Sequence, residues 1–200
     1  MFTAFIVLFF TQLLSLALAD CVPNPGVRTV HTVNFDDLDT TTQSVIPAPF
    51  TYNWLAFHPS WQVARVGNDI PFVPSSQSNA LVLPTEFASA TAEFYSVSAC
   101  DTFDLISLWI IGCWVNPKYF KTDEACIVTF TGTKADGSVV TWERPVRKTS
   151  MEIIQFSTSR GFTNLKKVQL KSRFEFGTTT AGRIALDDIV IGRQDGKVSC

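Results

Sequence analysis

Only two histidines, His31 and His58, occur in this chain, and neither a Gly-x-Ser-x-Gly elbow nor a His-Glu-x-x-His run is present. Serine-hydrolase and zinc-protease chemistry depend on such arrangements, so neither has support here. No two cysteines form a Cys-x-x-Cys pair, which removes the zinc-knuckle and thioredoxin readings. Charge of one sign is also missing: 16 basic and 18 acidic residues are scattered without runs, for a net charge of -2. A nucleic-acid partner needs a basic face, and none is implied. No Asn-x-Ser/Thr sequon occurs, and no stretch carries a convincing helical period.

Long apolar runs are scarce after the start. Met1 to Ala19 is almost wholly apolar, without a charged side chain, and ends in Ala17-Leu18-Ala19, as a cleavable signal peptide does. The expectation is a secreted, extracellular mature domain over residues 20–200, with no membrane span in the mature chain. All five cysteines, Cys21, Cys100, Cys113, Cys126 and Cys200, fall in that part, where an oxidising compartment favours disulfides. Cys113 and Cys126 flank a polar connection between two apolar runs and are expected to pair across a hairpin. Cys21 and Cys200 are expected to close the chain ends, which leaves Cys100 over; a Cys100 to Cys126 bond is the alternative.

What is present is strand chemistry. Val, Ile and Thr are abundant, with 17 Phe and 5 Trp, residues that fit half-buried pleated surfaces. Val30 to Leu38 reads as a strand, and Phe103 to Val115 reads as one covered on both faces. Cys126 to Thr133 and Ser138 to Val146 flank Lys134-Ala135-Asp136-Gly137, and Asp-Gly between alternating strands predicts a hairpin. Asn79 to Leu83, Ala92 to Val97, Met151 to Phe156, Leu165 to Phe176 and Arg183 to Gly192 complete the main set. Many short strands without helices predict an all-β, antiparallel jelly-roll β-sandwich in a single domain.

Two acidic pairs bracket the chain, Asp36-Asp37 after Val33 and Asp187-Asp188 within Ile184 to Ile191. A carboxylate in an apolar run is costly to bury without a cation or donor. In the last strand Ile184 and Leu186 share one parity while Ile189 and Ile191 share the other, which predicts a one-residue bulge at Asp187-Asp188. Hard oxygens on two neighbouring strands suit calcium, so Asp36, Asp37, Asp187 and Asp188 are the candidate ligands of a structural ion. Among the aromatics, Tyr52, Trp54 and Trp61 lie in what reads as a loop-rich segment and are the candidate sugar platform. Trp109 and Trp114 read as core.

Ile184 to Ile191 followed by Cys200, and Val33 to Leu38, resemble the closing and opening strands of MAM-type, galactose-binding-like and carbohydrate-binding-module jelly rolls. Asn34 to Trp61, Phe103 to Ser107 and Gly132 to Gly137 are also similar in order and spacing to secreted fungal proteins of that type. The resemblance implies adjacent terminal strands and often a calcium held by residues equivalent to Asp36 or Asp37 and Asp187 or Asp188. The function expected is a non-catalytic module that binds an extracellular or cell-wall glycan. A secreted structural or effector-like domain that contacts another protein is the alternative, and a glycan-cleaving enzyme the second. Glu86, Glu93, Glu143 and Glu175 are available for carboxylate chemistry, but no pair is marked by local sequence.

Overall fold

The computed structural model describes residues 21–23, 28–40, 45–47, 50–65, 75–76, 79–83, 92–114, 126–146, 151–174 and 183–198. The expected signal peptide, Trp114 and Cys126 side chains, Glu86 and Glu175 lie outside what is described. Strands run through nearly all of the described residues, and the one helical element among them is a 3-10 turn, Thr158–Arg160.

A single curled antiparallel sheet folds over on itself. Its first layer runs β3 (Val45–Pro47), β6 (Gln62–Arg65), β7 (Asn79–Leu83), β14 (Arg183–Gln194) and β9 (Thr102–Trp114), with β12 (Glu152–Gln155) beyond β9. The second layer runs β4 (Phe50–Tyr52), β5 (Leu55–Phe57), β8 (Ala92–Ser96), β13 (Leu165–Phe174), β10 (Cys126–Lys134) and β11 (Val139–Val146). The two meet where Phe103 of β9 pairs with Leu165 of β13. Between them lies one apolar core that includes Phe35, Phe57, Phe94, Phe103, Phe130 and Phe162. Rings meet edge-on and stacked along it, as aromatic cores prefer: Phe57 lies 5.0 Å from Phe50 and Phe130 lies 5.2 Å from Phe156. This is the all-β sandwich expected from the strand pattern.

The first and last strands are neighbours. β2 (Thr29–Val33) pairs with the second half of β14, Val33 opposite Ile189, while β7 pairs with its first half. A separate ribbon joins β1 (Cys21–Pro23) to β15 (Gly196–Val198), Cys21 opposite Val198. The expected bulge is present: the β14 to β9 register shifts between Asp187 and Val190, and Asp188 has a φ of 41°.

Several expectations need correction. The first strand stops at Val33, because Phe35 turns left-handed (φ 63°) and the backbone folds back, Leu38 N–H donating to the Phe35 carbonyl. Phe50 to Phe57 is a hairpin rather than loop. Trp109 is half-buried opposite half-exposed Ile153, and Ile106 of the same strand is exposed, so β9 is not covered throughout. β9 and β10 are not ladder neighbours, which removes the hairpin geometry expected for Cys113 and Cys126. Cys100 is disulfide-bonded, so it is not the leftover thiol. The side chains of Cys21, Cys113, Cys126 and Cys200 lie outside the described residues.

Candidate functional site

The β4–β5 hairpin turns through two residues, Asn53 and Trp54, with φ of 46° and 73°. Two left-handed residues give the turn whose twist matches the flanking strands. Asn tolerates that backbone, whereas for a bulky residue it is strained. Trp54 is 51% exposed, and the guanidinium of Arg193 sits 3.8 Å from its ring centroid. His31, tied to Thr29 Oγ1 through Nε2 at 2.9 Å, lies 6.4 Å from the same ring. Arg193 is held in place by Asp101 at 2.9 Å and Asp195 at 2.7 Å.

Asp101 ties this indole to a cavity of about 660 Å³ at the same end of the sandwich. Its carboxylate accepts from Arg193 and from the Gly196 N–H, while its carbonyl accepts from Lys166 Nζ at 2.7 Å. The cavity is lined by Arg28, Lys134, Asp136, Asn164, Lys166 and Gln194, among others, and its size suits a small-molecule ligand. Lys166 also donates to the Ala99 carbonyl, and desolvation lowers its pKa, with Asp101 opposing that shift. Arg28 pairs with Asp104 and reaches Asn164 Oδ1 at 3.3 Å. Asp136 accepts from the Ser138 hydroxyl and N–H, which hold its carboxyl below the usual range.

The predicted platform residues do not stand together. Trp54 is exposed, but Trp61 is 1% exposed and belongs to the core, its indole N–H donating to the Glu93 carbonyl at 3.0 Å. This overturns Trp61 as a sugar-stacking residue: it closes the tight turn before β6, its main-chain N–H donating to the His58 carbonyl, and the indole N–H, satisfied by a main-chain acceptor, can be buried without penalty. Tyr52 is half-buried against Phe35, ring centroids 5.4 Å apart, and its hydroxyl donates to Asp37. Burial, then that carboxylate, pushes the phenol pKa upward and keeps the proton in place.

The acidic pairs are likewise divided among protein donors. Asp187 is fully buried and accepts from Ser75 Oγ, Ser76 N–H and Ser76 Oγ, each at 3.0 Å. Asp188 accepts from Ser75 Oγ at 2.7 Å. Desolvation raises the Asp187 pKa, only partly offset by the Ser76 N–H. The Asp36-Asp37 turn is docked on β7 by buried Asn79, which donates to the Phe35 and Leu38 carbonyls and accepts from Thr40. Among the described residues no group of three or more His, Cys, Asp or Glu side chains is placed to hold a metal.

Sequence reading missed the cavity, Arg193 and the two serines. A Ser-Ser pair after Pro74 was a weak signal for donors, and the cavity residues come from five separate stretches of chain.

No family model matches the chain, and no curated protein is similar to it. Solved structures show likeness of outline. One is a DUF4465 family protein from Bacteroides ovatus, 9% identical over 88% of this chain and 98% of that one, with a TM-score of 0.46. Another is the CBM22-1 xylan-binding domain of Paenibacillus barcinonensis Xyn10C, 10% identical over 88% and 99%, TM-score 0.45. A third, TmCBM61 in complex with β-1,4-galactotriose, is 10% identical over 80% and 97%, TM-score 0.36. The functional reading rests on the site itself.

Proposed function

We propose that this protein is a secreted, non-catalytic glycan-binding module whose site lies at one end of the sandwich. The observation that carries the reading is Trp54: half-exposed at a strained hairpin tip, backed by Arg193, and linked through Asp101 to a cavity. Backbone strain persists where the surroundings enforce it, and it gathers at functional positions. An indole offers a flat apolar face to the C–H face of a pyranose, and the neighbouring Asn164 and Gln194 amides are suited to hydroxyls.

Among the described residues of the second layer, the cleaving alternative finds no carboxylate pair at the needed spacing. Glu93 and Glu143 lie on β8 and β11, three ladder spacings apart, roughly 14 Å at ~4.8 Å per strand, beyond the 5 to 9.5 Å that such chemistry uses. Both are engaged, Glu93 with Lys167 and Glu143 with Arg173. Exposed Val30, Ile106 and Ile153 on the first layer favour the protein-contact reading as the second one.

A structural calcium shared by Asp36, Asp37, Asp187 and Asp188 is the lesser part of the proposal. Adjacency of β2 and β14 supports it; the serine and tyrosine donors that occupy three of these carboxylates compete with it. Chelation should lower the Tm if the ion is held, and an unchanged Tm removes it. For the module itself, a glycan array followed by calorimetry is the test: Trp54→Ala should weaken binding at least tenfold with the fold intact, and undiminished binding would remove the platform.

A further inference from the structure

We infer that the cavity beside Trp54 receives an anionic sugar residue, carboxylated or sulfated, so that the glycan this module binds is an acidic one. The inference rests on the glycan-binding reading and specifies its ligand. Five charged side chains line the cavity: its two acids already have contact partners, while two of its three cations make no ion-pair contact among the described residues. Asp136 is satisfied by Ser138, and Asp195 pairs with Arg193. Arg28 is matched by Asp104.

Lys134 and Lys166 form no salt bridge among the described residues. Lys166 spends two of its three N–H groups on the main-chain carbonyls of Ala99 and Asp101, which fix the ammonium at the wall with one donor over. Lys134 lies at the base of the β10–β11 hairpin, its N–H donating to the Ser138 carbonyl, so its backbone is fixed as well. Asp101 acts on Lys166 and Asp136 on Lys134 only through space, without an ion-pair contact, so an arriving anion can make the charge-assisted contact that neither half-buried ammonium has. The Asn164 and Gln194 amides next to these cations can serve the hydroxyls of the same ring. A neutral sugar would use the amides and the indole but give neither ammonium group an ion-pair contact.

The experiment compares an oligogalacturonate, the same oligomer with its carboxyls reduced to alcohols, and a sulfated galacto-oligosaccharide, by calorimetry at low and high salt. At least tenfold tighter binding of the carboxylated or the sulfated oligomer than of the reduced one is expected, with a preference that shrinks as salt rises. The tighter of the two charged arms identifies which anion is taken. Lys134→Gln should bring the charged oligomer down to the affinity of the reduced one, whereas Trp54→Ala should weaken all three. Because Lys166 also braces two carbonyls, Lys134→Gln is the cleaner variant, and its unchanged Tm guards against misfolding. Equal, Trp54-dependent binding of charged and reduced oligomers overturns this inference and leaves the glycan reading standing. Absence of binding by any of the three, together with a silent array, overturns both.

Discussion

Two hairpins reach the same end of the sandwich by different means. The β10–β11 connection closes through Ala135, Asp136 and Gly137, with Gly137 at φ 81° and Lys134 N–H bonded to the Ser138 carbonyl. Glycine takes that left-handed position without a Cβ penalty, and a three-residue loop ending this way is a common low-strain solution. The β4–β5 connection puts Trp54 at φ 73°, where a side chain of that bulk costs about 1 to 2 kcal/mol. One turn is built for stability; the other holds an indole in the open at the expense of strain.

The largest effect should come from a residue that shares the strained hairpin's segment but not its exposure. Trp61→Ala is expected to destabilise by about 3 to 5 kcal/mol, the usual range for an emptied aromatic core site, whereas Trp54→Ala should cost less than about 1 kcal/mol. Chemical denaturation checks both, and similar costs would break the contrast. Next is a pH effect at a third left-handed region, the Asp187-Asp188 bulge. Because burial lifts the Asp187 carboxyl above its ordinary 3.8, the folded chain holds that proton more tightly than the unfolded one. Its stabilising share is therefore full below about pH 3.8 and is lost as pH rises through the folded value. Asp187→Asn should flatten that slope in a Tm series.

Smaller changes separate the two turns themselves. Gly137→Ala has open space around the new methyl, so its cost is conformational alone, about 1 kcal/mol, with glycan affinity unchanged. Trp54→Gly should leave stability nearly level, since relief of about 1 to 2 kcal/mol of strain offsets the lost cation–π contact of about 0.5 to 1 kcal/mol and some packing. Its glycan affinity should nonetheless fall at least tenfold. A Tm drop as large as that of Gly137→Ala would mean that the indole is structural.

How far the residues announced this arrangement depends on the range of the interaction involved. The Asp-Gly turn and the bulge were legible because each is written within a few residues: Asp136-Gly137 between alternating runs, and the parity change between Leu186 and Ile189. Adjacency of the terminal strands was also expected, and β2 and β14 pair as anticipated. Burial of Trp61 was not legible, since its strand neighbours are too short to set a period and its acceptor, the Glu93 carbonyl, lies on another strand. The donors that serve Asp187 come from Ser75 and Ser76, more than a hundred positions away, and a cation was the nearer explanation. The cavity depends on strand ends converging, which no local pattern encodes.

Pairing of β1 with β15 brings the main chain at Val198 alongside that at Cys21 in antiparallel sense. Such a pair can be bridged by a two-residue Asn-Gly turn, which would convert the domain into a closed ring of backbone with its fold unaltered. Fewer conformations would then be open to the denatured chain, so the cyclic form should melt higher than its linear parent. The ring would also offer new termini away from the proposed glycan site, clear of Gly196 and the wall it shares with the cavity.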